Sequence, residues 1–247
     1  MVFASNIFLY AFLPLFLAAY YATPQRGRAW VIALASYLFY GWWRPDFVVL
    51  MWASTALDFS CGRGIARDRA RGATGQRWVF LSCCANLALL AYFKYANFGV
   101  ETLNRLLVEL GGRPLPWAAV VLPVGISFYT FQTLSYTVDV YRRQAEPVAS
   151  FRDFACYVAL FPQLVAGPIV RYRSVAEQLR ERSHTLAKFS AGVMLFLAGL
   201  AKKVLIADTL AVPADRAFGA EALSVLEAWI GALAYTFQIY WRVRGSD

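Results

Sequence analysis

The chain has 247 residues, of which 60% are hydrophobic and 16% are charged, whereas about 25% of the residues in a typical soluble domain are charged. A soluble fold of this length has too little interior to bury so much apolar surface, so the composition excludes an ordinary soluble domain and indicates an integral membrane protein. The net charge of +9 does not indicate nucleic-acid binding, because the basic residues lie in short segments between apolar stretches, as in cytoplasmic loops that face anionic lipid.

Eight stretches of the sequence contain no Lys, Arg, Asp or Glu and are candidates for helices in the membrane. A transmembrane helix needs about 20 mostly apolar residues, so the shorter stretches must include flanking residues, tilt, or pack inside a bundle. The pattern predicts an all-α, polytopic transmembrane protein, a single membrane domain over residues 1–247 with about six to eight membrane-embedded helices. The first stretch lacks a basic segment before it and a small-residue cleavage site, so we expect a retained helix rather than a signal peptide. The stretches are Met1–Gln25, Ala29–Trp43, Phe47–Leu57, Trp78–Phe93, Pro114–Val138, Phe154–Val170, Phe189–Ala201 and Ala228–Trp241.

Positively charged residues mark the segments that we expect on the cytoplasmic side. Five Arg and one Asp lie in residues 61–77, and five Lys or Arg with two Glu lie in residues 171–188. Short loops rich in Lys and Arg remain in the cytoplasm. This order predicts an external N-terminus, two short helices around a turn at residues 42–46, and then a cytoplasmic loop at residues 61–77.

Residues 114–138 form the stretch with the least regular predicted topology. If this stretch and residues 154–170 both crossed the membrane, the basic segment that begins at Arg171 would be external, against its charge. Prolines at its start, followed by Pro123 and Gly125, interrupt regular helix. Non-helical backbone is tolerated at membrane depth only inside protein or beside a water-filled cavity. We therefore predict that residues 114–138 are broken or re-entrant; the alternative is an ordinary proline-kinked span.

Two charged residues next to apolar stretches have a simple interpretation and a functional one. Lys94 lies among aromatic residues, where a lysine more often extends its ammonium group to the membrane interface than serves a function. Asp139 follows the proline-bearing stretch and is a candidate to pair with Arg142 or Arg143, although a solvated helix end is the simpler interpretation.

Lys202 and Lys203 interrupt an apolar run and allow two interpretations of equal weight. If the helix continues through them, two charges lie near the bilayer, which indicates a cavity or an ion pair, with Asp208 as a possible partner. If the helix ends at Ala201, the two lysines are ordinary interfacial residues.

His184 is the single histidine of the chain and lies in a charged segment before an apolar helix. Ser183 or Thr185 beside it is a candidate helix N-cap, so a structural role for His184 is the simpler interpretation. The sequence contains no Ser/His/Asp arrangement, metal-ligand spacing, phosphate loop or dinucleotide motif, so the residues alone do not specify a reaction.

Six blocks of the sequence resemble the membrane-bound O-acyltransferase family, in its branch that acetylates bacterial polysaccharides such as alginate. They follow one another in the order of that family and extend over the chain as far as Tyr240. The blocks are MVFASNIFLYAFLPLFLAAYY, ASYLFYGWWRPDF (35–47), LAYFKYANFGVETLN (90–104), LPVGISFYTFQTLSYTVDVYR (122–142), FPQLVAGPIVRYR (161–173) and GLAKKVLIADTLA (199–211).

The resemblance implies a fold and an activity. Such proteins form a ring of helices in the bacterial inner membrane, around a thinned centre where an acyl group passes from a cytoplasmic donor to an external acceptor. The implied donor is acetyl-CoA, with no permanently bound cofactor or metal. The implied partners are the lipid bilayer and periplasmic polysaccharide acetyltransferases, and the final acceptor is an exopolysaccharide.

The resemblance also places residues near the acyl path, from the broken stretch and from the FPQLVAGPIVRYR block. Glycine there allows close backbone approach, proline fixes an irregular path, and arginine offers a bidentate phosphate site. The alternative is a structural helix end with an interfacial arginine. The candidate path residues are Pro123, Gly125, Pro162, Gln163, Gly167, Pro168 and Arg171, and the candidate intramembrane charges are Lys202 and Lys203.

The sequence departs from the family after YTFQIY (235–240), where it continues as WRVRGSD. The catalytic histidine of the family would lie beyond Asp247 in a Trp-His-Gly setting, and His184 does not match it. We therefore expect a truncated chain with an incomplete helix ring and no acetyl transfer activity of its own. The alternatives are a noncatalytic membrane remnant and a transporter or channel subunit, which would also use a broken helix and intramembrane lysines.

Overall fold

The structure is a computed structural model that describes residues 5–42, 44–164, 171–172, 174–175, 184–220 and 222–244. The described residues contain helices and no strand, which confirms the all-α prediction. The helices are α1 (Leu13–Ala22, preceded by a π-helical turn at Phe8–Phe12), α2 (Arg28–Gly41), α3 (Asp46–Ala70), α4 (Gln76–Glu109), α5 (Ile126–Tyr141), α6 (Phe151–Ala159), α7 (Phe161–Leu164), α8 (Leu186–Ala201, followed by a π-helical segment at Lys202–Ala207), α9 (Asp208–Gly219) and α10 (Val225–Arg244).

The chain forms two compact units, which we call the larger and the smaller unit. The larger unit comprises Phe16–Val165 and Ile169–Arg180. The smaller unit comprises Met1–Leu15, Ala166–Pro168 and Glu181–Asp247. Each unit has its own packed helices and is described separately.

Aromatic side chains form much of the core of the larger unit, in which α3, α4 and α5 pack on one another and α2 packs on α6. The Tyr136 ring lies 4.5 Å from the Phe154 ring and 5.6 Å from the Tyr172 ring, and Tyr172 lies 5.2 Å from Tyr157. Gly62 on α3 makes room for Tyr136, because a Cβ at that position would overlap the phenol. The core therefore depends on close approach of α3 to α5.

Helix α3 extends to Ala70, so the predicted loop at residues 61–77 is wrong over most of its length. Cys61 and Ile65 are buried one turn apart, whereas Arg63 and Arg67 are exposed. Arg63 and Arg67 therefore occupy the outer face of a continuing helix, and a charge-based prediction cannot distinguish such a face from a loop. The actual turn is confined to the five residues between α3 and α4.

Helix α4 has 34 residues and continues past the predicted end at Phe93. Lys94 is exposed on it, with its ammonium group 5.8 Å from the centre of the Tyr95 ring, as expected for a lysine beside interfacial aromatic residues.

Gln76–Glu109 and Leu186–Gly219 are the two described helical runs that are long and apolar enough to cross a membrane. They support the membrane assignment, while the total of six to eight embedded helices stays a prediction.

The predicted interruption of residues 114–138 is present, because residues 112–125 are non-helical and α5 begins at Ile126. Two asparagines of α4 bind this segment. The amide of Asn97 donates to the carbonyl of Val120 (2.8 Å) and its oxygen accepts from the Val120 N–H (2.8 Å). Asn104 makes the same pair of bonds with Leu115, at 3.2 and 2.7 Å. Side chains therefore satisfy the backbone groups of Leu115 and Val120. The re-entry of the segment into the membrane stays a prediction.

A long helix, Leu186–Gly219, packs on α10 to form most of the smaller unit. Thr185 caps its start by accepting the Lys188 N–H at 3.2 Å, which decides between the two predicted caps. Ser224 and Glu227 cap α10 reciprocally: Glu227 accepts the Ser224 N–H at 2.9 Å, and Ser224 accepts the Glu227 N–H at 3.3 Å.

Gly231 provides the close contact between α9 and α10, since a Cβ at that position would overlap Ala217. We expect Gly231→Ala to destabilise this helix pair by about 1–2 kcal/mol through overpacking. Gly192 on α8 faces open space, so Gly192→Ala should stabilise by about 0.5–1 kcal/mol through helix propensity. The midpoint of unfolding in detergent measures the stability of each variant. Shifts of the same sign in the two variants would contradict the close contact of Gly231 with Ala217.

Candidate functional site

Gly125 is at the point where the interrupted segment meets helix α7. Its φ of +77° is in the left-handed region, and a Cβ there would collide with the carbonyl oxygen of Leu164. Pro123, two residues earlier, is buried and accepts the Ile126 N–H at 3.3 Å. The turn before α5 therefore lies directly against the FPQL segment, so the structure brings two of the sequence-predicted regions together.

Helices α2 and α5 hold the Phe161–Leu164 segment in place. The Gln132 amide donates to the carbonyl of Tyr157 (3.0 Å) and to the side-chain oxygen of Gln163 (3.3 Å). The Phe161 N–H donates to the Ser36 hydroxyl at 3.2 Å. Gln163 is therefore half-buried and hydrogen-bonded to α5.

The other predicted path residues are less informative. Pro162 is exposed on α7, and Arg171 is exposed after it. Gly167 and Pro168 lie outside the described residues. The role of all these residues in an acyl path stays a prediction.

A buried carboxylate network at the centre of the larger unit was not predicted. Asp58 on α3 is completely buried and accepts hydrogen bonds from the Ser82 hydroxyl (2.6 Å) and from the Asn86 amide (2.9 and 3.0 Å), both on α4. The Asn86 oxygen accepts from the Ser54 hydroxyl at 3.0 Å, and the Ser82 hydroxyl lies 3.3 Å from that of Thr137 on α5. The ion pairs found among the described residues do not include Asp58.

One weak signal for this network was present in the sequence. Ser54 and Asp58 are four residues apart, so they lie on one helix face next to an apolar run. Burial of a carboxylate among membrane helices costs free energy, and such residues commonly have a function. Asp58 therefore belongs with the candidate intramembrane charges.

Asp139 is buried, so the interpretation of a solvated helix end is wrong. One of its carboxylate oxygens has no hydrogen-bond partner, and the described part of the chain shows no ion pair between Asp139 and Arg142 or Arg143. Helix α5 continues past Asp139, and Arg69 of α3 donates to the carbonyls of its last residues, Val140 (2.7 Å) and Tyr141 (3.2 Å). Arg69 thus satisfies two carbonyls at this helix end.

The same contact brings basic segments that are distant in sequence to one end of the larger unit. Arg71, Arg142 and Arg143 are exposed there, and Arg77 forms an ion pair of 2.7 Å with Asp68. Hydrogen bonding from Arg77 holds the pKa of the Asp68 carboxyl below its usual range. This basic end matches the composition expected of a cytoplasmic face, whose location stays a prediction.

The helix does not end at Ala201, because it continues through the π-helical segment into α9. Lys203 pairs with Asp208 at 2.7 Å, as one of the two interpretations expected, and Lys202 is half-buried.

His184 is exposed just before the Thr185 cap. Within the ranges that the structure describes, His, Cys, Asp and Glu side chains form no group of three that could hold a metal ion.

Comparison with known proteins gives the family. The model of the membrane-bound O-acyltransferase family matches residues 143–245. The chain is 46% identical to a probable alginate O-acetylase of Pseudomonas syringae pv. tomato and 44% identical to one of Pseudomonas aeruginosa, in each case over 99% of this chain and 47% of the relative. It is 30% identical to a peptidoglycan O-acetyltransferase of Helicobacter pylori, over 99% of this chain and 52% of that protein. No solved structure matches.

The chain thus spans about half the length of the curated relatives that it matches. The blocks that suggested the resemblance extend over the chain as far as Tyr240, in agreement with a match over nearly its whole length. The structure agrees with the match, because its helices include two that are long and apolar enough to cross a membrane. The chain therefore belongs to the membrane-bound O-acyltransferase family and fits the N-terminal half of its members.

Proposed function

We propose that this chain is the N-terminal membrane scaffold of an O-acyltransferase that passes acetyl groups across the bacterial inner membrane for O-acetylation of an exopolysaccharide. The observation that carries the proposal is the similarity to alginate O-acetylases over 99% of the chain. The non-helical segment at residues 112–125 is compatible with it, because non-helical backbone at membrane depth is tolerated inside protein or beside a water-filled cavity.

The proposed reaction moves an acetyl group from the thioester of acetyl-CoA to a hydroxyl group. A base removes the hydroxyl proton, the oxygen attacks the acetyl carbonyl, and the thiol leaves. His184, the single histidine of the chain, is exposed in a segment before a helix cap, so we do not assign the role of that base to it. The 247-residue chain in this proposal therefore contributes the passage and not the proton transfer, and periplasmic polysaccharide acetyltransferases receive the acetyl group.

Acetyl ester content of exported polysaccharide tests the proposal in cells that lack their own acetylase. Expression of residues 1–247 alone should give no acetyl ester. A chimaera in which residues 1–247 replace the matching half of the Pseudomonas syringae relative should restore acetylation, with that relative itself as the positive control. Acetylation by the 247-residue chain alone would contradict a role limited to the passage, and a chimaera that inserts in the membrane but stays inactive would contradict the scaffold role.

The ion pair of Lys203 and Asp208 in an apolar helix favours a second candidate, a transporter or channel subunit. Transport would require the ion pair but would not require the remaining part of an acetyltransferase. Ion uptake into vesicles that contain the 247-residue chain, lost in Lys203→Met, would favour it over the acyltransferase scaffold.

A further inference from the structure

Two consecutive residues of α3 join the start of α4 and the end of α5, at what we call the basic end of the larger unit. Asp68 accepts the indole N–H of Trp78 at 3.0 Å and pairs with Arg77, and both partners lie in the first turn of α4. Arg69 donates to the last carbonyls of α5. The end of α5 is therefore held beside the first turn of α4.

The start of α4 indicates that the basic end lies at the level of lipid headgroups. Helix α4 is long and apolar enough to cross a membrane, and it begins at Gln76. Its first exposed apolar side chains, Phe80 and Leu81, follow one turn after Arg77. Trp78 lies between them, with the Arg77 guanidinium 5.3 Å from the centre of its ring. A sequence of arginine, tryptophan and exposed apolar residues along a membrane helix is typical of the interface.

The basic end has an excess of positive charge. Its two segments, residues 67–77 and 142–149, contain six arginines, no lysine and two acidic residues, Asp68 and Glu146. Of these two carboxylates, that of Asp68 is already in an ion pair. Positive charge therefore remains for an anion from outside the chain. The exposed arginines of these segments that have no ion pair among the described residues are Arg67, Arg71, Arg142 and Arg143.

The backbone of Arg143 gives independent evidence for a ligand. Its φ is +60°, and Arg143 is the one described residue other than glycine with a positive φ. It follows the C-cap of α5, where its N–H bonds to the Val140 carbonyl at 3.2 Å and the Gln144 N–H bonds to that of Asp139 at 2.8 Å. Glycine is the usual residue at such a position, because a Cβ disfavours the left-handed region. Strained backbone of this kind occurs mainly at functional sites, which indicates a use for the Arg143 side chain.

The type of side chain selects a phosphate group. A guanidinium group presents its N–H groups in a planar fork that binds two oxygens of one phosphate, whereas a lysine ammonium acts as a point charge. At the level of lipid headgroups, the abundant phosphate is that of a phospholipid. A zwitterionic headgroup contains its own ammonium group and an anionic headgroup does not, so excess positive charge favours the anionic lipid.

We propose that the basic end binds the phosphate of an anionic phospholipid, with Arg142 and Arg143 donating the hydrogen bonds and Arg71 adding to the positive potential. The evidence is the charge, the depth and the strained backbone of the basic end. The proposal is therefore independent of the proposed acyltransferase function, and its test requires no acetyl transfer.

Spin-labelled lipids test the proposal. The protein is reconstituted in phosphatidylcholine bilayers with a trace of spin-labelled phosphatidylglycerol or phosphatidylcholine, and the motionally restricted fraction gives the relative association constant of the two lipids. The unsubstituted chain should prefer phosphatidylglycerol. Arg142→Gln/Arg143→Gln should lower this preference about two- to fivefold. No preference in the unsubstituted chain would overturn the proposal, as would an undiminished preference in the double variant.

Arg105→Gln/Arg113→Gln is the matched control. It removes two exposed arginines near the other end of α4 and changes the net charge by the same amount. This control should keep the preference for phosphatidylglycerol. A loss of equal size in the control would show that the preference follows net charge alone, which contradicts a site at the basic end.

Arg143→Gly separates lipid binding from a structural role of the arginine. Glycine relieves the left-handed backbone, so the midpoint of unfolding in detergent should rise while the preference for phosphatidylglycerol falls. A fall in the midpoint would contradict the backbone argument. A full lipid preference in this variant would exclude Arg143 as a phosphate ligand.

Coenzyme A distinguishes the lipid from a soluble phosphate compound. Added at an ionic strength matched by sodium chloride, coenzyme A should leave the preference for phosphatidylglycerol the same as in sodium chloride. A preference lost in coenzyme A and kept in sodium chloride would overturn the lipid as the occupant, and would assign the basic end to a soluble phosphate ester.

Discussion

Gly125→Ala should destabilise the larger unit by about 2–4 kcal/mol. Two effects add at this position: the left-handed φ of +77° disfavours any side chain, and a Cβ would collide with the Leu164 carbonyl oxygen. Relief requires α7 to move or the first turn of α5 to unwind, since α5 begins at the next residue. The free energy of unfolding, measured by titrating the folded protein in mild detergent with dodecyl sulfate, gives the size of the effect.

Gly111→Ala is the matched control for that experiment. Gly111 has a φ of +79° and no atom near its Cβ position, so only the backbone penalty of about 1–2 kcal/mol applies. The difference between the two variants then measures the contact with Leu164. Equal losses at both positions would show that the turn does not press against α7.

Asp58→Ala should cost about 2–4 kcal/mol of unfolding free energy, because it leaves the Ser82 hydroxyl and the Asn86 amide buried without an acceptor. Asp58→Asn should cost less. Its amide oxygen still accepts from Ser82, and removal of the charge lowers the penalty of burial, but its NH₂ group cannot accept from Asn86.

Asp46→Asn serves as the comparison for Asp58, because the Asp46 carboxylate is exposed and pairs with Arg44 at 2.6 Å. Exposed ion pairs contribute little to stability, so this variant should unfold almost like the unsubstituted chain. If Asp58→Ala were as mild as Asp46→Asn, the buried network would not stabilise the packing of α3 on α4.

The sequence predicted the class of fold well and the limits of the helices poorly. Apolar content is a property of composition, so the all-α membrane protein followed from it directly. Helix limits depended on charge, and charge does not distinguish a loop from the polar face of a helix. Residues 61–70 therefore continue α3, with Ile65 buried and Arg67 exposed, although their composition matched a loop.

The sequence predicted the candidate site only at positions where the residue type has one characteristic structural role. Gly125 before an apolar helix indicated an unusual backbone, and the structure gives it a positive φ. Asp58 gave a weak signal, because its partners Ser82 and Asn86 lie 24 and 28 residues away and only the packing of α3 on α4 brings them together.

The pairing of Asn97 with Val120 and of Asn104 with Leu115 has a consequence for how the interrupted segment is held. Each asparagine offers one donor and one acceptor, as a peptide group does, so α4 serves as a neighbouring strand for the segment without any strand being present. At these two positions the segment is joined to α4 by side-chain hydrogen bonds, which use none of the backbone hydrogen bonds within α4. Breaking these four hydrogen bonds would therefore leave the backbone hydrogen bonds of α4 intact.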